Sequence, residues 1–280
     1  MTSTLPEKTD VLGIDVGLTL VNPTSGLCRT GCKGDVVSHT FIDYGSRTAI
    51  VGTGSFTVIA IDAPVLPVET LHYDVRPCEK VFVWGSFQKR CKPGESHVPG
   101  TGQALRRSGV ETARTFAPHV ASASVVADFP RIYGDRNIVE AFPNGFLGVS
   151  LEAGSFQNAL GRGERFDWLY EEWLSQGVHS RLSAEVQWLR KPFWGLVAAN
   201  SQHDERAALI CAITAACVLL GRYVAVGEAL GGYFFMPPWN VWQPWAKEAL
   251  RRNHHDPRLP RSVEVWIDGT CFKADQDLPA

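Results

Sequence analysis

The feature that most constrains the fold is a run of fifteen apolar and small residues, AALICAITAACVLLG, at positions 207–221. Charged residues at 203–206 precede the run, and Arg222 follows it. A helix needs about 20 predominantly apolar residues to cross a bilayer, so this run is too short to be a membrane span. We therefore expect a helix over residues 203–222 that is buried in the protein core.

Composition favours a folded globular protein. Hydrophobic residues make up 45% of the 280 residues and charged residues 20%, a balance that excludes a disordered chain. The sequence contains no internal repeat and no convincing linker, so we expect a single domain over residues 1–280. The net charge of −2 argues against a protein that coats nucleic acid or anionic membrane through bulk charge.

The expected compartment is the cytoplasm, with no membrane association. Residues 1–10, MTSTLPEKTD, contain neither the apolar core nor the cleavage site of a secretory signal. The seven cysteines follow no repeated spacing, which favours reduced thiols over a disulfide framework. Cys28 and Cys32 form a close pair, but no second pair with matching spacing completes a zinc site. The sequence leaves the oligomeric state open.

Short apolar runs that end in turn residues predict the strands of an α/β fold. A run over 11–17 delivers Asp15 to the end of a first strand. Runs over 36–44 and 47–53 predict the next two strands, which with the first would form an antiparallel meander. A nearly continuous apolar run over 56–61 predicts a fourth strand that is covered on both faces.

Four acidic residues at the ends of apolar elements are the candidates for a catalytic and metal-binding site: Asp15, Asp62, Glu140 and Asp204. Carboxylates beside apolar strands are costly to desolvate, so a group of them is tolerated mainly where it binds cations or faces a cleft. Carboxylate oxygens suit Mg²⁺ or Mn²⁺. Two such ions about 3.5–4 Å apart support phosphodiester cleavage.

Each acid also has an ordinary structural interpretation. Asp15 and Asp62 precede Val-Gly and Ala-Pro, and both would suit tight turns. Asp204 would complement the dipole at the start of the long helix. Glu140, within Val-Glu-Ala-Phe-Pro, is ambiguous. Asp15 and Asp62 are therefore the stronger candidates.

Residues 66–114 are expected to form a basic, loop-rich insertion, because glycine and proline punctuate much of this segment. Between residues 76 and 114, eight Lys and Arg accompany three Glu, which gives a local charge of +5. Contacts with substrate phosphates are predicted for Arg76, Lys89, Arg90 and Lys92. A solvated charged loop explains the composition almost as well, so a nucleic-acid partner is one of two interpretations.

A Trp- and Pro-rich extension is expected from about residue 233. Trp239, Trp242 and Trp245 follow Pro237 and Pro238. These indoles offer faces on which unpaired bases would stack. Aromatic residues at this density more often attach a C-terminal segment to the core, which is the interpretation that we prefer.

Several motifs resemble, in their order, the family called domain of unknown function 429, a group of predicted nucleases with a ribonuclease H-like fold. The motifs are Gly13-Ile14-Asp15, Ile61-Asp62-Ala63-Pro64, Arg76-Pro77-Cys78-Glu79, Val139-Glu140-Ala141-Phe142-Pro143, the helical residues 208–215 and the late segment 231–238. The resemblance covers about residues 11–245.

The resemblance implies a mixed five-stranded sheet, with its first three strands antiparallel, flanked by helices. It places Asp15 on the central first strand, Asp62 at the tip of the fourth and a last acid on the C-terminal helix. This chain departs from the family in two places. The helix that usually joins the third and fourth strands is almost absent around residues 52–55. Members often carry Asp-Ala where this chain has Ala207-Ala208, so either Asp204, three residues earlier, substitutes or the site is degraded.

The function that we expect is that of a metal-dependent nuclease, a phosphodiesterase that uses Mg²⁺ or Mn²⁺ and acts on an unknown substrate. A sugar or acyl kinase of the actin-like ATPase class is an alternative, because residues 13–17, GIDVG, also resemble the first phosphate loop of those enzymes. A second alternative is a non-catalytic binding module on the same fold. The absence of an acid at Ala207 motivates that alternative.

Overall fold

A computed structural model describes residues 10–17, 25–31, 33–41, 55–66, 75–120, 137–158 and 165–280. The strands in these ranges are β1 (Asp10–Asp15), β2 (Ser25–Gly31), β3 (Val36–Phe41), β4 (Val58–Asp62), β5 (Ile138–Ala141), β6 (Val224–Glu228), β7 (Gly232–Met236), β8 (Glu264–Ile267) and β9 (Thr270–Lys273). They form one mixed sheet in the order β3-β2-β1-β4-β5-β7-β6-β8-β9. The protein is therefore of the α/β class.

The α-helices in the described ranges flank this sheet. They are α1 (Pro77–Phe82), α2 (Gly85–Gln88), α3 (Thr101–Phe116), α4 (Pro143–Gly148), α5 (Arg165–Ser175), α6 (Val178–Glu185), α7 (Lys191–Ala199), α8 (His203–Leu219) and α9 (Pro244–His254). Short 3-10 helices occur at Ala117–His119, Ala153–Asn158 and Trp239–Val241. Among the described helices, none combines the length and the apolarity needed to span a bilayer.

The sheet is larger than the five strands that we expected. β1 pairs antiparallel with β2 and parallel with β4, and β5 and β7 continue in the direction of β4. Beyond β7, the strands β6, β8 and β9 add antiparallel pairs. The sequence from about residue 233 suggested an extension, because its tryptophans and prolines obscured the short strands β7, β8 and β9.

The prediction of the second strand was wrong. The run over 36–44 contains the third strand, β3 (Val36–Phe41), and the second strand, β2, is Ser25–Gly31. The sequence of β2, SGLCRTG, lacks the density of large apolar residues that marks a strand. The strand predicted over 47–53, and the shortened connection expected around 52–55, lie outside the described residues apart from Ser55.

The buried helix was predicted correctly. α8 covers His203–Leu219 and packs on β1, β2 and β4, and every side chain from Arg206 to Leu219 is buried. The helix lies close to the sheet because two glycines face it. A Cβ atom on Gly13 would overlap the Ala208 carbonyl and the Ala212 amide, and one on Gly26 would overlap the Asp204 carbonyl. Only glycine allows this approach.

The opposite face of the same strands is covered by α3. Ala113 and Phe116 of this helix share a core cluster with Leu12, Ile14 and Ile59 of the sheet. The central strands are therefore buried on both faces, as the apolar run over 56–61 predicted.

One further prediction of local structure needs correction. The segment 66–114 was expected to be loop-rich, but its described residues, 66 and 75–114, include α1, α2 and most of α3. Glycine and proline mask the apolar period of these helices in the sequence.

The tryptophans at the start of the C-terminal region are attached to the core, as preferred from the sequence. Trp239 and Trp242 are buried in one apolar cluster. The Trp242 indole donates a hydrogen bond to the Pro237 carbonyl at 3.0 Å, and the Trp245 indole donates one to the Leu151 carbonyl at 2.8 Å.

The contact between α8 and β1 predicts a specific loss of stability. We expect Gly13→Ala to lower the free energy of unfolding by about 2–3 kcal/mol, because the new methyl group must displace the α8 backbone. Gly195→Ala is the matched control, since its Cβ meets nothing within 4 Å and alanine favours the helix α7. Urea denaturation measures both. Equal stability of the two variants would contradict the proposed tight contact.

Candidate active site

Asp15 and Asp62 are brought together by the pairing of two parallel strands. Asp15 is the last residue of β1, Asp62 is the last residue of β4, and the two are register partners. Neighbouring strands lie about 4.8 Å apart, and register partners of parallel strands point to the same face. Both carboxylates therefore leave the sheet side by side at its carboxyl edge, and both residues are partly exposed.

The face that Asp15 and Asp62 share is the one covered by α8. Gly13, two residues before Asp15, contacts the backbone of α8, and side chains two apart share a face of the sheet. The pKa of the Cys211 thiol, within α8, is raised by burial first and then by the charges of Asp62 and Asp15. Both carboxylates thus act electrostatically on the same part of the helix.

The pKa of Asp62 lies well above that of an ordinary aspartate. Burial, together with the nearby charge of Glu140, raises the pKa of Asp62 from 3.8 to about 7. Burial acts because the ionised carboxylate loses hydration among apolar strands, and Glu140 acts because like charges repel. A carboxylate that is ionised at a cost is stabilised by any cation bound beside it, which is a common property of functional sites.

Glu140 is placed differently from the two aspartates. Its register partner on β4 is Ile61, so its Cβ leaves the sheet on the opposite face from that of Asp62. Its two carboxylate oxygens accept hydrogen bonds from the Arg76 guanidinium, each at 2.7 Å. Glu140 is 3% exposed and Arg76 is 2% exposed. Both oxygens of this carboxylate are thus engaged by a buried arginine.

Arg76 connects Glu140 to a larger buried polar cluster. Its Nε donates to Glu79 Oε1 at 2.8 Å and to Ser96 Oγ at 3.1 Å. Arg106 Nη2 also donates to Ser96 Oγ, at 3.1 Å. Two arginines and two glutamates balance their charges in this cluster. Sequence reasoning predicted Arg76 to be a phosphate contact, but the structure engages it with protein partners.

Glu79, Ser96 and Arg106 were not predicted as members of the site. The only available signal was Glu79, three residues after Arg76, because such a spacing brings side chains together on a helix. Ser96 and Arg106 come close to Arg76 because of the way the segment between α2 and α3 folds. No local sequence pattern predicts this contact.

Asp204 lies in the first turn of α8, near the edge that carries Asp15. Its carbonyl contacts Gly26, the register partner of Asp15 on β2. Burial is the main cause that raises the pKa of Asp204, and the negative charges of Asp167 and Glu205 raise it further. Asp204 is partly exposed, whereas Ala207 is buried. The partly exposed acids of α8 are therefore Asp204 and Glu205, both in its first turn.

The other predicted phosphate contacts lie at or near the surface between α2 and α3. Lys89 is exposed, and Lys92 pairs with Glu95 at 2.8 Å. The Arg90 guanidinium lies over the Trp245 ring, 4.5 Å from its centre. These three residues are therefore not part of the buried Arg76 cluster.

A complete metal centre is not assembled by the described side chains. Within the described ranges, no three or more His, Cys, Asp or Glu side chains are grouped so that they could hold a metal ion. Asp15 and Asp62 form a pair, with Asp204 beyond Gly26. Cys28 is buried in the core, and Cys32 lies outside the described residues.

The chain matches no model of a known protein family, no curated protein and no solved structure. The resemblance to domain of unknown function 429 therefore depends on the motifs themselves.

The raised pKa of Asp62 predicts that Asp62→Asn stabilises the protein in a pH-dependent way. Between pH 4 and 7 the folded state keeps a proton that the unfolded state releases, so wild-type stability falls as the pH rises through this range. Asparagine abolishes that loss. We expect the variant to be more stable by about 1–2 kcal/mol at pH 8 and by much less at pH 4. Denaturation in EDTA at both pH values measures the difference, and a pH-independent difference would contradict it.

The ion pair of Arg76 predicts a large effect of Glu140→Gln. The change leaves a buried guanidinium with part of its charge uncompensated, so we expect a loss of about 3 kcal/mol in the free energy of unfolding. Glu248→Gln is the control, because that exposed carboxylate pairs only loosely with Arg251 and Arg252. Urea denaturation should show less than about 0.5 kcal/mol for the control. Similar losses for both variants would refute a structural role of the buried pair.

Proposed function

We propose that this chain is a metal-dependent phosphodiesterase of the nuclease type, and that Asp15 and Asp62 hold its divalent cation. The observation that carries the proposal is the register pairing of the two carboxylates at the carboxyl edge of adjacent parallel strands. Mg²⁺ is commonly held by one or two protein carboxylates, with water and substrate phosphate as its other ligands. Two carboxylates are therefore sufficient for such a site.

The arrangement of the first five strands supports a ribonuclease H-like assignment. Their order in the sheet is β3-β2-β1-β4-β5, with β1, β2 and β3 antiparallel and β4 and β5 parallel to β1. The antiparallel pairing of the first three strands agrees with what the resemblance to domain of unknown function 429 implies, whereas the whole sheet is larger than the five strands that it implies. In the proposal, β6 to β9 are an addition beyond that unit.

Each acid has a distinct role in this proposal. Asp15 and Asp62 bind the cation, and Asp204 approaches from the first turn of α8 in place of the acid missing at Ala207. Glu140 acts as a positioning residue, because its oxygens are bound by Arg76 while its charge raises the pKa of Asp62. When bound, a divalent ion supplies an activated water and stabilises the charge on the leaving oxygen.

The basic surface near α2 supports a substrate that carries phosphate. Lys89 is exposed, and Arg90 is held on an aromatic ring close to it in sequence. We assign these residues, with Lys92, to the binding of the nucleic-acid backbone rather than to the reaction, because Lys and Arg contacts with phosphate position a substrate without reading its sequence.

Calorimetric titration with Mn²⁺ tests the proposal. We expect the wild type to bind Mn²⁺ and Asp15→Asn/Asp62→Asn to lose at least about tenfold in affinity, because the ion loses both anionic ligands. Asp275→Asn/Asp277→Asn is the matched control, since it removes the same charge from exposed positions. Cleavage of labelled single- and double-stranded RNA and DNA should then require both Mn²⁺ and the two aspartates.

Each other outcome of the titration overturns the proposal. Binding of ATP and Mg²⁺, with no binding of Mn²⁺ alone, would identify a kinase of the actin-like class. The absence of both would leave a non-catalytic binding module on this fold. Equal loss of affinity in the control variant would show that the metal responds to bulk charge rather than to a site.

A further inference from the structure

A second surface feature is a cavity of about 730 Å³ next to α2. Its lining includes Trp84, Ser86, Lys89, Arg90, Arg252 and Arg258. We call this cavity the basic cleft. It contains none of the four candidate acids, and its volume lies within the range of pockets that bind small organic ligands.

The basic cleft carries a surplus of positive charge. Lys89, Arg90, Arg252 and Arg258 contribute four positive charges to its wall, and Asp256 contributes one negative charge. Asp256 is engaged by Arg258, with one contact of 2.6 Å and another of 2.8 Å. Lys89, Arg90 and Arg252 therefore have no carboxylate partner among the residues that line the cleft.

The three remaining cations are weakly compensated from outside the cleft. Arg252 Nε lies 3.9 Å from Glu248 Oε1, which is a long contact between two exposed side chains. Neither Lys89 nor Arg90 forms an ion pair with an acid among the described residues. Gathering such cations costs electrostatic free energy, which a bound anion would offset.

Two arginines of the cleft are held in place by aromatic rings. The Arg90 guanidinium lies 4.5 Å from the centre of the Trp245 ring and 5.5 Å from that of Phe156. The Arg258 guanidinium lies 4.7 Å from the centre of the Trp84 ring. Cation-π contacts restrict the side chain while leaving N–H groups at the guanidinium edge free to donate. The cleft is thus preorganised for an acceptor.

Further hydrogen-bond donors lie in the same wall. Ser86 carries a hydroxyl group, and Arg252 Nη2 contacts it at 3.5 Å. Guanidinium, ammonium and hydroxyl groups together provide many donors and few acceptors. A tetrahedral phosphate has the complementary chemistry, because all its oxygens accept hydrogen bonds.

We propose that the basic cleft binds the phosphate group of a nucleotide or of a nucleic-acid strand. The residues of the cleft come from distant parts of the chain, since Arg252 lies 166 positions after Ser86. The charged segment identified from the sequence contributed only Lys89 and Arg90. The inference deepens the proposed function, on which it rests for the role of Lys89 and Arg90 as contacts of the nucleic-acid backbone. The binding itself needs no metal ion and none of the four candidate acids, so the two can fail separately.

Equilibrium binding in EDTA at about 0.1 M salt tests the inference. The probes are adenosine 5′-monophosphate, adenosine as its uncharged counterpart, and a fluorescently labelled ten-nucleotide poly-dT. We expect the wild type to bind at least one phosphate-bearing probe and not adenosine. The variant Lys89→Glu/Arg252→Glu should weaken that binding by about tenfold or more, because it removes two charged donors.

The control variant is Arg181→Glu/Lys191→Glu, which changes the net charge equally at exposed positions outside the basic cleft. It should retain wild-type affinity, and circular dichroism should show that both variants are folded. Binding of the mononucleotide identifies a nucleotide pocket, and binding of poly-dT alone identifies a backbone site; both outcomes support the inference. Equal weakening in the two variants, or no binding of any phosphate by the wild type, would overturn it.

The use of EDTA separates this inference from the proposed nuclease function. Loss of Mn²⁺ binding in Asp15→Asn/Asp62→Asn leaves the phosphate titration unchanged if the two sites are independent. Failure of the cleft variants to affect phosphate binding would in turn leave the metal titration intact. Each proposal therefore has its own experiment.

Discussion

The backbone of α8 lies directly against β1 and β2, and the rest of the structure depends on this contact. Gly13 and Gly26 permit it, because a methyl group at either position would overlap the helix backbone. The close approach seals one face of the central strands. It also places the first turn of α8, with Asp204, beside the ends of the strands. A single packing constraint thus serves both the core and the candidate site.

The candidate site separates two kinds of carboxylate. Glu140 is neutralised by a buried arginine, and Arg76 also bonds to Glu79. Asp15 and Asp62 instead end β1 and β4 on the other face of the sheet, where the pKa of Asp62 is raised. Like charges on neighbouring elements are costly without compensation. The buried arginine lowers that cost for Glu140, whereas burial and the charge of Glu140 keep the pKa of Asp62 raised on the other face.

Positive charge is distributed in a similar way. Arg76 and Arg106 are buried in the protein and balance two glutamates. Lys89 and Arg90 lie only a short distance further along the chain, yet they belong to the basic cleft with Arg252. The basic residues of this segment therefore include two groups: buried arginines that pair with glutamates, and residues that line the basic cleft. We infer that the cleft holds phosphate and that the aspartate pair holds the cation.

The sequence by itself determined the elements whose signals are local. The apolar run that became α8 and the strand ends at Asp15 and Asp62 follow from short-range patterns of apolar and turn residues. Only the tertiary structure decided which elements became neighbours. β2 pairs with β1 and β3 and packs under α8 at Gly26, and Arg106 reaches Ser96 because the intervening segment folds back. The partners of Glu140 and of the basic cleft are distant in sequence, and no local pattern encodes contacts between side chains that only folding brings together.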